Sequence, residues 1–325
     1  MGGSILVTGA NGFVGAYLGR YLAARGFSVR GSVREKGAGN APGFVEVGDI
    51  DGKTDWRRAL EGIDVVVHLA ARVHLFGREA RSLEGYRQVN VEGTRNLVRQ
   101  AAEAGVCRFI FVSTIKVHGE ESGDTPFRAD DIPAPRDWYG ISKLEAEEAV
   151  RNVGAETGME WVILRPPLVY GPGVKGNFAE LVRFVRRGSL LPFGLVDNQR
   201  SLVGIDNFCD LIAACIDHPA AAGRILLAGD GEDVSTPELI RRIASACGVR
   251  PRLLPVPVFL LRMAAAFMGR GEQLDKLIAS LQVDITETRE LLHWSPPLSL
   301  EEGIRRCVAG SAGTGGAQNG EVEKN

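Results

Sequence analysis

The sequence predicts an α/β protein, built as a doubly wound parallel sheet with a second, smaller and discontinuous α/β domain. Three observations predict it. Short apolar runs alternate with helix-period segments through the first half, the mark of strand–helix–strand units. The run 64–69 is so continuously apolar that it reads as a central strand buried on both faces. A glycine-rich turn joins the first strand to the first helix. At 325 residues there is room for about two domains of ~150 residues each, and 45% hydrophobic with 24% charged residues excludes wholesale disorder.

The elements follow in order. Residues 4–7 read as the first strand. Val14, Tyr17, Leu18, Tyr21 and Leu22 then recur at i, i+3, i+4, i+7 and i+8, one face of a helix. Strands are expected at 29–33, 44–47 and 64–69. Val91, Thr94, Leu97, Val98, Ala101 and Ala102 mark another amphipathic helix, followed by a strand at 109–112. A helix over 138–157 and a strand over 161–164 complete a dinucleotide-sized domain, residues 1–168. Pro166-Pro167 and Gly171-Pro172-Gly173 mark the exit from the sheet. Residues 169–310 mix short helices with proline-broken segments and read mainly as a substrate domain, with 201–228 returning to the main sheet. Residues 311–325 lack apolar periodicity and are expected to be a disordered tail.

Composition narrows the function. Lys+Arg 38 against Asp+Glu 40 leaves a net charge of −2, which argues against a nucleic-acid surface built on bulk charge. Cys107, Cys209, Cys215, Cys247 and Cys307 are odd in number and form no C-x-x-C pair, as expected of reduced thiols in a cytoplasmic protein. No apolar run reaches the ~18 residues of a membrane span, and no signal peptide is expected before Ile5. His68, His74, His118, His218 and His293 form no metal-binding pattern, so no metal is expected, and His68 within its apolar strand reads as a core residue. Val258, Leu261, Ala265 and Met268 form a helical stripe, read as core or a dimer surface.

Thr8-Gly9-Ala10-Asn11-Gly12-Phe13-Val14-Gly15 is the informative turn. Gly9 permits the sharp reversal, Gly12 lets a pyrophosphate approach the backbone, and Gly15 lets helix pack on sheet. The helix N-terminus offers free N–H groups to phosphates. The pattern predicts a Rossmann-like dinucleotide site. An acid ending the second strand would bind the ribose hydroxyls of NAD; here Val33 holds that place and Arg34 follows. A guanidinium suits the 2′-phosphate of NADP(H), which is favoured, with NAD(H) as the alternative and a solvated loop cation as the other reading of Arg34. Asp49 is placed to accept from the adenine amino group, or is a turn residue.

Tyr139-Gly140-Ile141-Ser142-Lys143 is Y-x-x-x-K, with phenol and ammonium one turn apart on one helix face. A phenol of pKa ~10 is a poor catalyst at neutral pH, and a nearby ammonium together with the positive nicotinamide of an oxidised cofactor is expected to lower it. Alone, this could be a chance pair. The strand at 109–112, however, ends in Ser113-Thr114, placing the Thr114 hydroxyl at the C-terminal sheet edge where ligands bind in such folds.

In combination these motifs resemble the extended short-chain dehydrogenase/reductases of the nucleotide-sugar epimerase/dehydratase family, from Ile5 to about Ile304. His68-Leu69-Ala70-Ala71, Asn90-Val91-Glu92-Gly93-Thr94 and Ser113-Thr114-Ile115-Lys116-Val117-His118-Gly119 match family segments. The resemblance implies Thr114 as catalytic hydroxyl, Tyr139 as acid–base and Lys143 as its partner. It implies cofactor contacts at Gly9, Asn11, Gly12, Phe13, Val14, Gly15, Arg34, Asp49, Ile50, Leu69, Ala70, Ala71, Asn90, Tyr139, Lys143 and Pro166. Thr114, Asn177, Pro192, Phe193 and Arg200 are implied on the UDP-sugar side. Dehydratases of the family carry Asp-Glu after the catalytic Thr; Ile115-Lys116 stands here, which removes that activity. His118 replaces the usual Tyr.

The first functional expectation is an NADPH-dependent reductase of a UDP-4-keto-6-deoxy-hexosamine for surface polysaccharide, resembling a bacterial subgroup of such enzymes. The second is a UDP-glucose-type 4-epimerase with tightly held NAD, and the remote third a non-catalytic dinucleotide sensor. A homodimer is expected, through the helices near 91–104 and 138–149.

Overall fold

The computed structural model describes residues 3–35, 43–73, 82–269 and 271–313. The first half lays down strand and helix in turn: β1 Ser4–Thr8, α1 Phe13–Ala24, β2 Ser28–Val33, β3 Phe44–Glu46, α2 Arg57–Leu60, β4 Val65–His68, α3 Leu83–Arg87, α4 Thr94–Glu103, β5 Arg108–Val112, α5 Trp138–Thr157 and β6 Glu160–Arg165. Then come β7 Leu168–Tyr170, α6 Asn177–Arg186, β8 Arg200–Gly204, α7 Ile205–Asp217, β9 Arg224–Leu227, β10 Asp233–Val234, α8 Thr236–Ala246, α9 Val258–Phe267, α10 Gly271–Ile278, α11 Thr286–Leu292 and α12 Leu300–Gly313. Seven strands form one parallel sheet in the order β3-β2-β1-β4-β5-β6-β9. The strand order reverses beside β1, which opens a crevice at the C-terminal edge.

Alternate residues of each central strand face opposite layers. Ile5, Val7, Val67, Ile110 and Leu164 pack with Leu18 and Leu22 of α1 and with Phe208, Leu211 and Ile212 of α7. Leu6, Val66, Phe109, Phe111 and Ile163 pack with Leu97 and Val98 of α4 and with Ala146 and Val150 of α5. Both faces are therefore apolar, as the continuous run at 64–69 required, and each fully buried Leu or Phe contributes roughly 1.5–3 kcal/mol.

The stretch expected to rejoin the main sheet divides its loyalties. Residues 200–204 form β8 in a second, three-stranded sheet, β10-β8-β7, while α7 covers the main sheet and β9 becomes its seventh strand. Phe178 and Val182 of α6, Ile240 and Ile243 of α8 and Ile304 of α12 close the smaller layer. Tyr170 donates to Asp230 at 2.8 Å, and Asp230 accepts from Gly204 N and Asn207 Nδ2, joining the two layers. The amphipathic pattern at 91–102 belongs to a helical run whose residues 88–93 make a wider π turn before α4 begins. Helix α12 continues to Gly313, so the expected tail starts later than 311; the rest of it, with His74, lies outside the described residues. In the α9 stripe Leu261 and Ala265 are buried, whereas Met268 is exposed. No helix among the described residues is long and apolar enough to cross a membrane.

Candidate active site

A cleft of about 980 Å³ opens where β1, β2 and β4 end. Its walls include Gly9, Asn11, Gly12, Phe13, Val14 and Gly15 from the first turn, Arg34 after β2, Asp49 and Ile50 after β3, and Leu69, Ala70 and Ala71 after β4. The turn is shaped by close approach. Gly9 sits at φ 65°, and a Cβ on Gly15 would lie 2.2 Å from the Gly9 carbonyl oxygen. Only glycine allows α1 to start so near the turn, aiming its free N–H groups at the cleft. This cradle fits a dinucleotide pyrophosphate.

Behind the cleft, Thr8 accepts from Leu69 N and Ala70 N, both at 3.1 Å, and bonds His68 Nδ1 at 2.7 Å. His68 Nε2 meets Thr94 Oγ1 at 3.0 Å, and the ring stacks on Phe111. Burial first, and the charge of Lys143 second, push the His68 pKa down to about 3. His68 is thus a neutral core residue tying three elements together. At the mouth, Arg34 Nε pairs with Asp49 Oδ1 at 3.0 Å, with the two side chains 73% and 82% exposed. The two residues expected to read the adenosine half of the cofactor hold each other.

Val112, the last residue of β5, lines the cleft, and Thr114 follows two positions on. Thr114 caps the short turn 115–117, accepting from Lys116 N at 3.3 Å. That turn packs against the start of α5: a Cβ on Gly140 would lie 2.9 Å from the Lys116 carbonyl oxygen. Asp137 caps α5, its Oδ1 accepting from Gly140 N at 2.6 Å. Tyr139, half-buried in the first turn, is thereby brought beside the Thr114 turn.

Lys143 lies one turn along, buried, with Nζ 3.9 Å from the Phe111 ring centroid. Burial pulls its pKa down to about 7, against the charge of Glu147. Burial also raises the Tyr139 phenol, helped by the charges of Asp137 and Tyr86. In the protein itself burial is the largest influence on both groups, raising the phenol and lowering the lysine, while the expected lowering of the phenol draws also on the positive nicotinamide of an oxidised cofactor.

A model of the NAD dependent epimerase/dehydratase family matches residues 5–229, more than half the chain and all of this constellation. The chain belongs to that family. A Vibrio cholerae protein named UDP-glucose 4-epimerase is 46% identical over 309 residues, 94% of either chain. Among solved structures, UDP-glucose 4-epimerase from Thermotoga maritima with UDP-glucose superposes with a TM-score of 0.76 at 24% identity, over 96% of this chain and 99% of that one. UDP-N-acetylglucosamine 4-epimerase from Bacillus cereus gives 0.78 at 20% identity, over 94% and 98%. These two structures establish the shared fold.

In this epimerase/dehydratase chain the remaining site residues are more scattered. Asn90 is buried behind the cleft wall: its amide bonds both backbone groups of Arg72 and the Ser142 hydroxyl, bracing the loop after β4 against α5. The Pro166 carbonyl accepts from Ile115 N at 2.9 Å, fastening the Thr114 turn to the exit from β6. Neither lines the cleft. Arg200 Nη1 donates to the carbonyls of Lys276 and Ala279, at 2.8 and 3.0 Å, clamping the end of α10. Burial lowers its pKa. Asn177 is exposed at the start of α6, and Phe193 packs partly into the smaller layer's core. His118 accepts from Arg165 Nη1 at 2.7 Å, and Arg165 forks onto Glu147 at 2.6 and 3.0 Å. Burial, then the Arg165 charge, lowers the His118 pKa to about 4, so this ring is neutral.

Sequence reasoning missed Glu35, Gln88 and Val89 on the cleft wall, and Lys116. The first three carry no local signal. Lys116 was visible only as the absence of a dehydratase acid.

Proposed function

We propose that the protein is an oxidoreductase acting at C4 of a UDP-sugar, and specifically an NADP(H)-dependent reductase of a UDP-4-keto-6-deoxy-hexosamine. The observation that carries the finer reading is the end of β2, where Val33 replaces the ribose-binding acid and Arg34 stands at the cleft mouth. A guanidinium at that place suits a 2′-phosphate through its charge and paired donors. When bound, the dinucleotide supplies the hydride and, once oxidised, a positive charge near the phenol. Tyr139 donates its proton to the forming C4 alkoxide, the Thr114 hydroxyl holds that oxygen, and Lys143 supports the phenolate left behind. The buried Asn90, His68 and Pro166 act indirectly, holding the loops that carry these groups.

In this reading residues 1–168 with β9 hold the dinucleotide, and 169–310 hold the sugar, with the unused N–H groups of Arg200 toward the diphosphate and 192–193 toward the base. A cytoplasmic location goes with this reading, in which NADPH and a UDP-sugar are the reactants. Along the groove between α4 and α5, Arg95 and Arg99 of α4 stand opposite Glu148 and Glu156 of α5, and a face that carries both signs in this way is compatible with pairing to a second copy of itself, which supports a homodimer.

A second reading, a UDP-glucose-type 4-epimerase retaining NAD, is supported by the name of the Vibrio relative and by the Arg34–Asp49 pair, which partly neutralises the guanidinium. One experiment separates them. Purified protein is given NADPH with a UDP-4-keto-6-deoxy-N-acetylhexosamine, and in parallel UDP-glucose without added cofactor. Stoichiometric NADPH consumption, with at least about ten-fold loss of NADPH over NADH selectivity in Arg34→Ala, supports the reductase. UDP-galactose formation without added cofactor replaces it with the epimerase.

A further inference from the structure

We propose that Lys116 is a positioning residue: by clamping Asp137 it braces the Thr114 turn against the first turn of α5 and cancels a carboxylate charge that Tyr139 would otherwise face. The inference rests on the proton-transfer role given to Tyr139 above. Lys116 lies two residues after Thr114, and Asp137 two residues before Tyr139. Its Nζ forms a short ion pair with Asp137 Oδ2 and reaches Glu120 Oε1 at 3.4 Å. The other Asp137 oxygen caps α5 through Gly140 N. One carboxylate therefore ties the lysine to the helix that carries the phenol. The backbone repeats the link, since the Lys116 carbonyl packs against Gly140 and Ala134 N donates to Val117 O at 2.9 Å.

The pair is only about one-third exposed on either side, so solvent screens it incompletely. Burial works against the lysine's charge, yet the hydrogen bonds and charges of Asp137 and Glu120 outweigh it and raise the Lys116 pKa. The ammonium is therefore permanent at any working pH. Among the described residues, Asp137 at the head of its helix and Tyr86 from α3 are the charges that act on Tyr139; Lys143 lies one turn along the helix, and Lys116, with Glu120, reaches the phenol's surroundings through Asp137. His68 beneath is neutral, and Arg136 pairs with Glu121 at 3.2 Å. Asp137 is the carboxylate that raises the phenol, and Lys116 is the cation seated on it.

The test uses full-length protein and Lys116→Met, Lys116→Arg, Asp137→Asn and the Met/Asn double variant. Tyrosinate absorbance is titrated in the complex with NADP⁺, or with NAD⁺ if that binds instead, and the Tyr139→Phe signal is subtracted. Lys116→Met is expected to raise the Tyr139 midpoint by roughly half to one pH unit, and Asp137→Asn to lower it by a similar amount. The double variant should return near wild type, and Lys116→Arg should stay there. Amide hydrogen exchange over residues 138–141 should quicken several-fold in Lys116→Met. An unchanged midpoint overturns the charge role, and unchanged exchange overturns the brace. Neither measurement uses a sugar, so absence of C4 activity in the wild type would remove the proposed reaction while leaving these outcomes to decide Lys116.

Discussion

Replacing Glu147 with Gln should destabilise the protein far more than an ordinary charge removal. Glu147 and Arg165 are each only 2% exposed, and their fork is two-pronged, 2.6 Å from Nη2 to Oε2 and 3.0 Å from Nε to Oε1. The third edge of the guanidinium donates to His118 and, at 3.4 Å, to the Ala129 carbonyl, neither of which carries a negative charge. Glu147→Gln keeps one acceptor but turns an amide N–H₂ toward an arginine donor, leaving a buried cation without a counterion. Breaking a buried pair in this way costs about 3–5 kcal/mol. With a urea slope of about 3 kcal/mol per molar for a chain this size, the unfolding midpoint should fall by about 1 M or more. Urea titration followed by circular dichroism reads it directly. Glu147→Gln with Arg165→Met should recover much of the loss, because the buried guanidinium is removed together with its partner. A single-variant loss below about 1 kcal/mol, or a double variant no better than the single, would refute the view that an unpaired charge is responsible.

Three further outcomes are expected. Tyr139→Phe should bind dinucleotide normally, by fluorescence titration, yet lose about 10²–10⁴-fold in turnover, with Thr114→Ala milder because water can replace its hydroxyl. Gly15→Ala should weaken dinucleotide binding at least ten-fold, since its Cβ would lie 2.2 Å from the Gly9 oxygen and force α1 away from the turn; calorimetric binding tests it. Lys143 falls from 10.5 to about 7 on folding, so between those values the unfolded chain binds more protons than the folded one. Stability measured by urea should therefore rise with pH across that window, and Lys143→Met should flatten the rise.

What could be read from sequence was whatever rests on local chemistry. Helix 138–157 is bounded by an Asp137 cap and by Gly158 at φ 77°, and both are visible as residue types. The glycine turn and the apolar runs carry the main sheet in the same way. What was not legible shares a different cause. Residues 201–204 are buried in a row just as main-sheet strands are, so nothing local says which sheet β8 joins. Arg34 and Asp49 lie on separate loops, and only the pairing of β2 with β3 brings them within 3.0 Å. The burial that raises the Tyr139 phenol is a property of the assembled layers and leaves no local mark in the sequence. Lys116 and Asp137 lie 21 residues apart with no periodic signal between them.

The placement of β9 has a consequence for how the chain must be made. β6 is the last strand of the main sheet until residues 224–227 arrive beside it, after about 60 intervening residues that build the first two strands of the other sheet. At a ribosomal rate of about 5–20 residues per second, β6 spends roughly 3–12 seconds as a bare edge. That edge displays Glu160-Trp161-Val162-Ile163-Leu164-Arg165, an apolar core flanked by charges, on a nascent chain whose dinucleotide cleft is already complete. An unpaired edge of this kind is a template for other chains until it is covered. The interval between synthesis of β6 and synthesis of β9, rather than the marginal stability of the finished fold, is where aggregation competes with assembly, and early occupation of the cleft by dinucleotide would hold the exposed sheet in register while it lasts.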